Sequence, residues 1–359
     1  PPPPPPDPDP PPTGWPAEVP APPSADGKPA CSAPTFDGDE WWILSDSGCV
    51  SDGISIFGAG LQVTGSNVYV RNFEVNGNGD HQKVGVRVSG SSVVLDNGNV
   101  HHLLGNDRHC YTVSGGSRDV WIINSDGWYC SGDGFQAGHQ AVSNPPVNVY
   151  LVRNRFWGNR ENAYDLKYIN NFIGVENEGF AHRSAPSDQQ WCLPDMPTKC
   201  SQQNSGSDGT GIVVGSDGGP AGFAIYRDRI YDSDGCISVE EARDGQAIIE
   251  GVTCTNIAGA ALKLDKSSPR IRYANNVIDG AERGIFQNWR QNFALDVTGN
   301  TFRNVSGPAV EYEQSQVYQN STLTDNLFQN TGPVIYGNNS QSTEAGINGL
   351  PGASGNRVQ

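Results

Sequence analysis

Apolar and polar residues alternate in short bursts along most of this chain. A typical stretch is an alternating strand, an Asn or Asp, a second short apolar strand, a turn, and then a Gly with another alternating strand. NVYVRNFEVNGNG, NVYLVRNRFWGNRENAYDLK, GFAIYRDRIYDSDGCISV and LDVTGNTFRNVSGPAVEY are instances. Alternation with a period of two predicts strands, each with one face toward a core. One inward apolar position aligns through successive units as Val86, Tyr111, Phe135, Tyr164, Ile212, Ile237, Leu262, Ile285, Val310 and Val334. The interval is close to 24 residues, and three short strands per unit predict a right-handed parallel β-helix, all-β, of about 10–11 coils. Coils are expected over about 41–338, with one doubled interval marking an insertion loop around 183–208. The remainder, 339–359, reads as a C-terminal tail.

The same alignment predicts what each coil shows to solvent. One outward column runs Arg87, Thr112, Gln136, Asp165, Val213, Ser238, Lys263, Phe286 and Glu311. The corner ahead of that strand carries His109, Asp133, Asn162 and Thr210, with Glu161 beside Asn162. Stacking at about 4.8 Å per coil should therefore gather Asp133, Glu161, Asn162 and Asp165. Oxygen ligands so gathered are the type that holds Ca²⁺. The recurring Asn residues, among them Asn72, Asn154, Asn300 and Asn326, are expected at corners, where Asn tolerates left-handed backbone.

Composition narrows the partners. The formal net charge is −16, which speaks against nucleic acid and anionic membranes, since both need basic surface. No apolar run is long enough to cross a bilayer. The eight cysteines fall into close pairs, Cys31/Cys49, Cys110/Cys130, Cys192/Cys200 and Cys236/Cys254, without metal-type CxxC spacing. Four local disulfides and secretion into an oxidising compartment are expected. Residues 1–30 open with PPPPPPDPDPPP and read as a Pro-rich disordered linker ahead of a β-helix domain over 31–359. Such spacers separate secreted modules, so an upstream carbohydrate-binding module on the same chain is expected. The domain itself is expected to be a monomer.

GDGFQAG (132–138) followed by ENAYDLK (161–167) resembles the motif pair of the family 9 pectate lyases. The resemblance covers about 40 residues plus the repeat. It implies a β-helix polysaccharide lyase in which Asp133, Glu161, Asn162 and Asp165 occupy the places of the calcium ligands. Two departures stand out. That family has an acid where this chain has Asn162. Its catalytic lysine lies on the following coil, where this chain reads GTGIVVGSD (209–217). The basic candidates that remain are Lys167 and Lys263.

An extracellular polysaccharide is the expected partner, with Gln136, His139, Tyr168, Trp191, Glu240 and Trp289 as candidate contacts. Exposed aromatic rings suit sugar faces, and Trp191 lies in the insertion that Cys192–Cys200 would stiffen. Trp41 and Trp42 are expected to cap the N-terminal end of the solenoid. The adjacent His101 and His102 read as a surface turn. Two alternatives stand beside the calcium-dependent uronate lyase. One is a non-catalytic accessory module of a multimodular protein that degrades plant cell walls. The other is a glycoside hydrolase or epimerase on the same fold, with Asp133 and Asp165 as the acid–base pair.

Overall fold

The computed structural model describes residues 14–80, 83–138, 143–215, 218–265, 270–287, 294–313 and 319–359. Three parallel sheets wind into a right-handed β-helix. The front sheet holds the expected column in the expected register. Val86 pairs with Tyr111, Tyr111 with Phe135, Phe135 with Tyr164, and Tyr164 with Ile212. Pairing continues through Ile237, Leu262, Ile285 and Val310 to Val334. The inward residues are buried and form one continuous core with those of the other two sheets.

Both ends of the front sheet are closed by a reversed strand. Thr35–Phe36 runs antiparallel to Trp41–Leu44, and Asn339–Gln341 runs antiparallel to Val334–Tyr336. A short strand of reversed direction offers a poor template for edge pairing. The capping expected of the tryptophans is thus shared. Trp42 packs on Phe36 with ring centres 5.3 Å apart, whereas Trp41 is buried beneath the Arg87 guanidinium. Residues 339–359 are more than a tail, since Ala353–Ser354 and Arg357–Val358 pair onto the solenoid as further strands. Packing also begins before residue 31. Val19 is buried with Trp121 and Tyr150, Trp121 donates to the Pro20 carbonyl, and Glu18 pairs with Arg227. Residues 1–13 of the expected linker lie outside the described residues.

The asparagines divide into two populations. Asn72 has a φ of 52° and sits at a left-handed corner, as do Asn97 and Asn124. Asn154, Asn300 and Asn326, expected at the same kind of corner, are instead fully buried. They belong to ladders running up the core, Asn276–Asn300–Asn326–Asn356 and Asn154–Asn177–Asp228. Each rung accepts the backbone N–H and the side-chain amide of the preceding one. Each asparagine also donates to a main-chain carbonyl of the coil before it. A turn buried this deeply leaves backbone groups that water cannot reach, and an amide satisfies donor and acceptor together.

All four disulfides form as the spacing predicts, Cys31–Cys49, Cys110–Cys130, Cys192–Cys200 and Cys236–Cys254. Together they fit an oxidising compartment. No helix among the described residues is long and apolar enough to cross a membrane.

Candidate functional site

The site lies on the outer side of the front sheet, at the corner where each coil enters it. Arg87, Thr112, Gln136, Asp165, Val213, Ser238 and Lys263 follow one another across paired strands. The corner column is held by the main chain. The carbonyls of His109, Asp133 and Asn162 accept from Gly85, Cys110 and Gly134 of the preceding coil. Gly132 makes this corner possible. A Cβ there would stand 2.6 Å from His109 Nδ1 and 2.8 Å from Asp107 Oδ1, so any side chain would displace the imidazole.

Asp133 is fully buried. Its Oδ1 accepts from the Asn162 backbone N–H at 3.0 Å and from the Asn162 side-chain amide at 2.8 Å. Its Oδ2 lies 3.1 Å from His109 Nδ1, and Gln136 Nε2 stands 3.5 Å away. His109 Nε2 faces Asp107 Oδ1 at 3.6 Å. Burial alone would drive the His109 pKa down. The hydrogen bond with Asp133 and the charges of Asp107, Asp133 and Glu161 outweigh it and lift the imidazole to about 9. His109 Nδ1 faces both the Asp133 carboxylate and the Asp133 backbone N–H, the latter at 3.0 Å. Burial likewise pushes Asp133 up, and His109, Lys167 and Asn162 reverse that and hold it low.

Asp165, one coil further, behaves in the opposite way. Burial and then the negative charge of Asp133 raise it to about 8, against the pull of Lys167 and His109. Lys167 Nζ lies 3.5 Å from Asp165 Oδ2. Asp165 Oδ1 is buried and has no hydrogen-bond partner. Glu161 accepts at Oε1 from Arg160 and from Ser205 Oγ, each at 2.8 Å. Burial and the neighbouring Asp133 and Asp107 raise it to about 8, with His109 and the Ser205 hydrogen bond working against them. The result is a pair of carboxyl groups on adjacent coils with pKa values driven apart, the arrangement that separates acid from base roles.

Of the four expected calcium ligands, Asp133 and Asn162 bond each other and Asp133 is near enough to both Glu161 and Asp165 to raise them, yet the donor set does not fit the ion. Both oxygens of Asp133 are taken up by N–H donors, Asn162 turns its amide nitrogen toward it, and Glu161 is engaged by Arg160 and Ser205. The carboxylates already have resident cations in His109, Arg160 and Lys167. Among the described residues no group of three or more His, Cys, Asp or Glu side chains is placed to hold a metal.

The remaining expected residues scatter. Gln136 sits beside Asp133, and Glu240 is near enough to Asp165 to raise its pKa. Lys263 is three strand spacings from Asp165, roughly 14 Å along the column. Burial opposes its charge, but ion pairs with Asp265 at 3.1 Å and Asp208 at 3.2 Å hold its pKa up, so it does not serve as the base at Asp165. Tyr168 carries the Arg243 guanidinium at 3.9 Å on its ring. Trp191 lines a separate groove of about 470 Å³ with Arg160, Arg183 and Asp232. His139 and Trp289 lie outside the described residues.

Trp191 sits away from the front sheet because the insertion folds elsewhere. Its hairpin, Gln190–Leu193 with Met196–Gln202, packs against Leu104, Tyr129, Trp128 and Trp157 on the neighbouring sheet. There His101, Trp128, Trp157, Phe180 and Tyr231 form a continuous stack across successive coils. His101 and His102, expected at the surface, are buried beneath this cover. His102 Nε2 is 2.9 Å from Asp195 of the hairpin.

A feature the repeat pattern did not single out lies one coil before Asp133. Arg87, Arg108, His109, Thr112 and Gln136 line a cleft of about 300 Å³ on the front sheet. Arg87 could be read from the outward column; Arg108 sits on a loop whose direction no periodicity gives.

The family "Right handed beta helix region" matches residues 198–349, less than half of the chain. No curated protein matches. Among solved structures, the A-module of Azotobacter vinelandii mannuronan C-5 epimerase AlgE6 is similar at 13% identity and a TM-score of 0.54, covering 89% of this chain and 83% of that one. The catalytic domain of a GH87 alpha-1,3-glucanase is similar at 13% identity and a TM-score of 0.52, covering 84% and 69%. Pectate lyase Pel9A aligns at 16% identity over 91% and 73%, but with a TM-score of only 0.44. The chain spans half the length of another match, ORF18 of Geobacillus virus E2. At such identities the likeness establishes the fold, which is a right-handed β-helix.

Proposed function

We propose that this protein binds an acidic extracellular polysaccharide along the front sheet and cleaves it by β-elimination at Asp165, without a metal. The observation that carries the reading is the state of Asp165. Its carboxyl faces outward on the column, has one oxygen with no partner, and is held near a pKa of about 8 beside a lysine ammonium. A base poised close to neutral pH is what proton abstraction requires. In this scheme Lys167 neutralises the uronate carboxylate, which acidifies the adjacent C–H. Asp165 takes that proton, the C=C bond forms as the glycosidic C–O bond breaks, and Asp165 returns the proton to the leaving oxygen. His109 and Asn162 keep Asp133 ionised behind it, and that fixed negative charge strengthens Asp165 as a base. The folds similar to this one include a mannuronan C-5 epimerase and an alpha-1,3-glucanase, so polysaccharides are ligands of the architecture.

The test is incubation with pectate and alginate in the presence of a chelator, following the ultraviolet absorbance of the unsaturated product. Turnover should survive chelation and rise with pH up to about 8, because the ionised form of Asp165 is the active one. Asp165→Asn should lower it by about a hundredfold or more. A second reading, a non-catalytic binding module, is favoured by the low exposure of Asp165, only 4%. Absence of product from every uronate polymer, together with retention on an insoluble polysaccharide, would select it.

A further inference from the structure

The cleft ahead of Asp133 gathers positive charge in an acidic chain. In a chain of formal net charge −16, it brings together Arg87 and Arg108 against a single lining carboxylate, Asp107. Among the described residues neither Arg87 nor Arg108 forms an ion pair with a carboxylate. Arg108 Nε is buried and has no hydrogen-bond partner. Arg87 lies with its guanidinium 4.7 Å from the centre of the Trp41 ring. Stacking uses the face of the guanidinium and leaves its edge N–H donors free to meet a planar anion. Two cations close enough to repel each other, in a half-buried cleft with unspent donors, are an unfavourable arrangement for the protein alone. An anion entering the cleft resolves it.

We propose that Arg87 and Arg108 form a carboxylate-binding subsite for an acidic sugar, upstream of the sugar that reacts at Asp165. Arg87 and Asp165 are three strand spacings apart, roughly 14 Å. A polysaccharide laid along the column would therefore present one uronate at Asp165 and another, two or three sugars away, to the arginine pair. The inference rests on reading the chain as an enzyme for acidic polysaccharides and adds how that polymer is recognised. Thr112 and Gln136 line the floor of the cleft between the two positions and can bond the intervening hydroxyls.

The experiment is calorimetric titration of the full chain with hexamers of galacturonate, mannuronate and guluronate, each as the free acid and as the methyl ester. At least one free acid should bind about tenfold or more tightly than its ester, as expected for charge-assisted hydrogen bonds, and added salt should narrow the gap. Arg87→Gln and Arg108→Gln should each remove most of that preference. Equal binding of acid and ester by the wild-type protein overturns the subsite, and this comparison needs no variant to fold. A preference that survives in both variants also overturns it. Asp165→Asn separates the two ideas. If it loses turnover while keeping the preference, both stand. If it keeps turnover, the elimination scheme falls and the arginine subsite is judged on its binding data alone.

Discussion

The most exposed test of the core concerns Asp228. It occupies a rung of the ladder otherwise made by Asn154 and Asn177, accepting from the Asn177 backbone N–H at 2.8 Å and from the Tyr164 hydroxyl. Tyr164 reaches it because Gly174 stands where Ile122, Leu151 and Ile225 occupy the same inward column. A Cβ at Gly174 would lie 3.2 Å from the tyrosine oxygen. Burial raises the Asp228 pKa from 3.8 to about 7, and the bonds from Tyr164 and Asn177 only partly offset it. A group raised on folding contributes stability that is fully present below its unfolded pKa and is lost as the pH climbs through the folded one. A rise from 3.8 to about 7 corresponds to roughly 4 kcal/mol, lost between about pH 4 and pH 7. Asp228→Asn removes the ionisation and keeps the acceptor for Asn177. Its new amide must then rearrange against Tyr164, at a cost of about 1 kcal/mol. The variant should therefore be more stable than wild type by about 3 kcal/mol at pH 8 and no more stable at pH 4. Denaturant midpoints of both proteins at the two pH values measure this. A variant destabilised at pH 8, or a difference that does not change with pH, would refute the reasoning.

Two further predictions concern the ladder and the hairpin. Asn300→Ala deprives the buried Asn276 N–H and the Tyr273 carbonyl of their partners. It should destabilise by about 3–5 kcal/mol, visible as a lower melting temperature, whereas Asn304→Gly, at an exposed left-handed corner, should change it little. Replacing Cys192 and Cys200 by Ser should free the hairpin without melting the solenoid. Limited proteolysis is then expected within residues 190–202 together with a red shift of tryptophan emission, and an unchanged pattern of cleavage would count against a locally unfolding flap.

What the sequence revealed was decided by repetition. A period of two within strands and a near-constant coil length place Val86 through Val334 in register, because one slipped residue would turn a whole column outward. The same arithmetic brought Asp133, Asn162 and Asp165 together before any coordinates. It could not tell which atom of Asn162 faces Asp133. That choice depends on His109 having already supplied the positive charge, and His109 can approach only because residue 132 is glycine. The two populations of Asn were equally hidden. Asn72 and Asn154 recur with the same period, and only the depth of the turn separates a left-handed corner from an inward rung. His101 and His102 were misplaced for a third reason. The cover over them is supplied by Leu193 and Asp195, more than 90 residues later in the chain, and a local pattern carries no trace of so distant a lid.

That lid bears on function through its continuation. After the hairpin, Gln203 accepts from the Asp107 N–H, the Asn204 N–H donates to Asn106, and Ser205 bonds Glu161. The insertion therefore starts on the aromatic stack and ends against the acidic corner, tying the loop that carries Asp107 and Arg108 to the coil that carries Glu161. Arg160 grips the Ser205 carbonyl from below. Arg108 and His109 share one turn, Asp133 lies on the next and Glu161 and Asp165 on the one after, so the site is assembled across three turns joined by main-chain bonds and by side-chain bonds such as Asn162 to Asp133. Side-chain bonds from the insertion, which crosses these turns, add a further restraint. Residues 203–205 therefore add to the rigidity that the bonds among His109, Asp133 and Asn162 give the site, and deleting the hairpin should loosen the cleft even though none of its residues lines it.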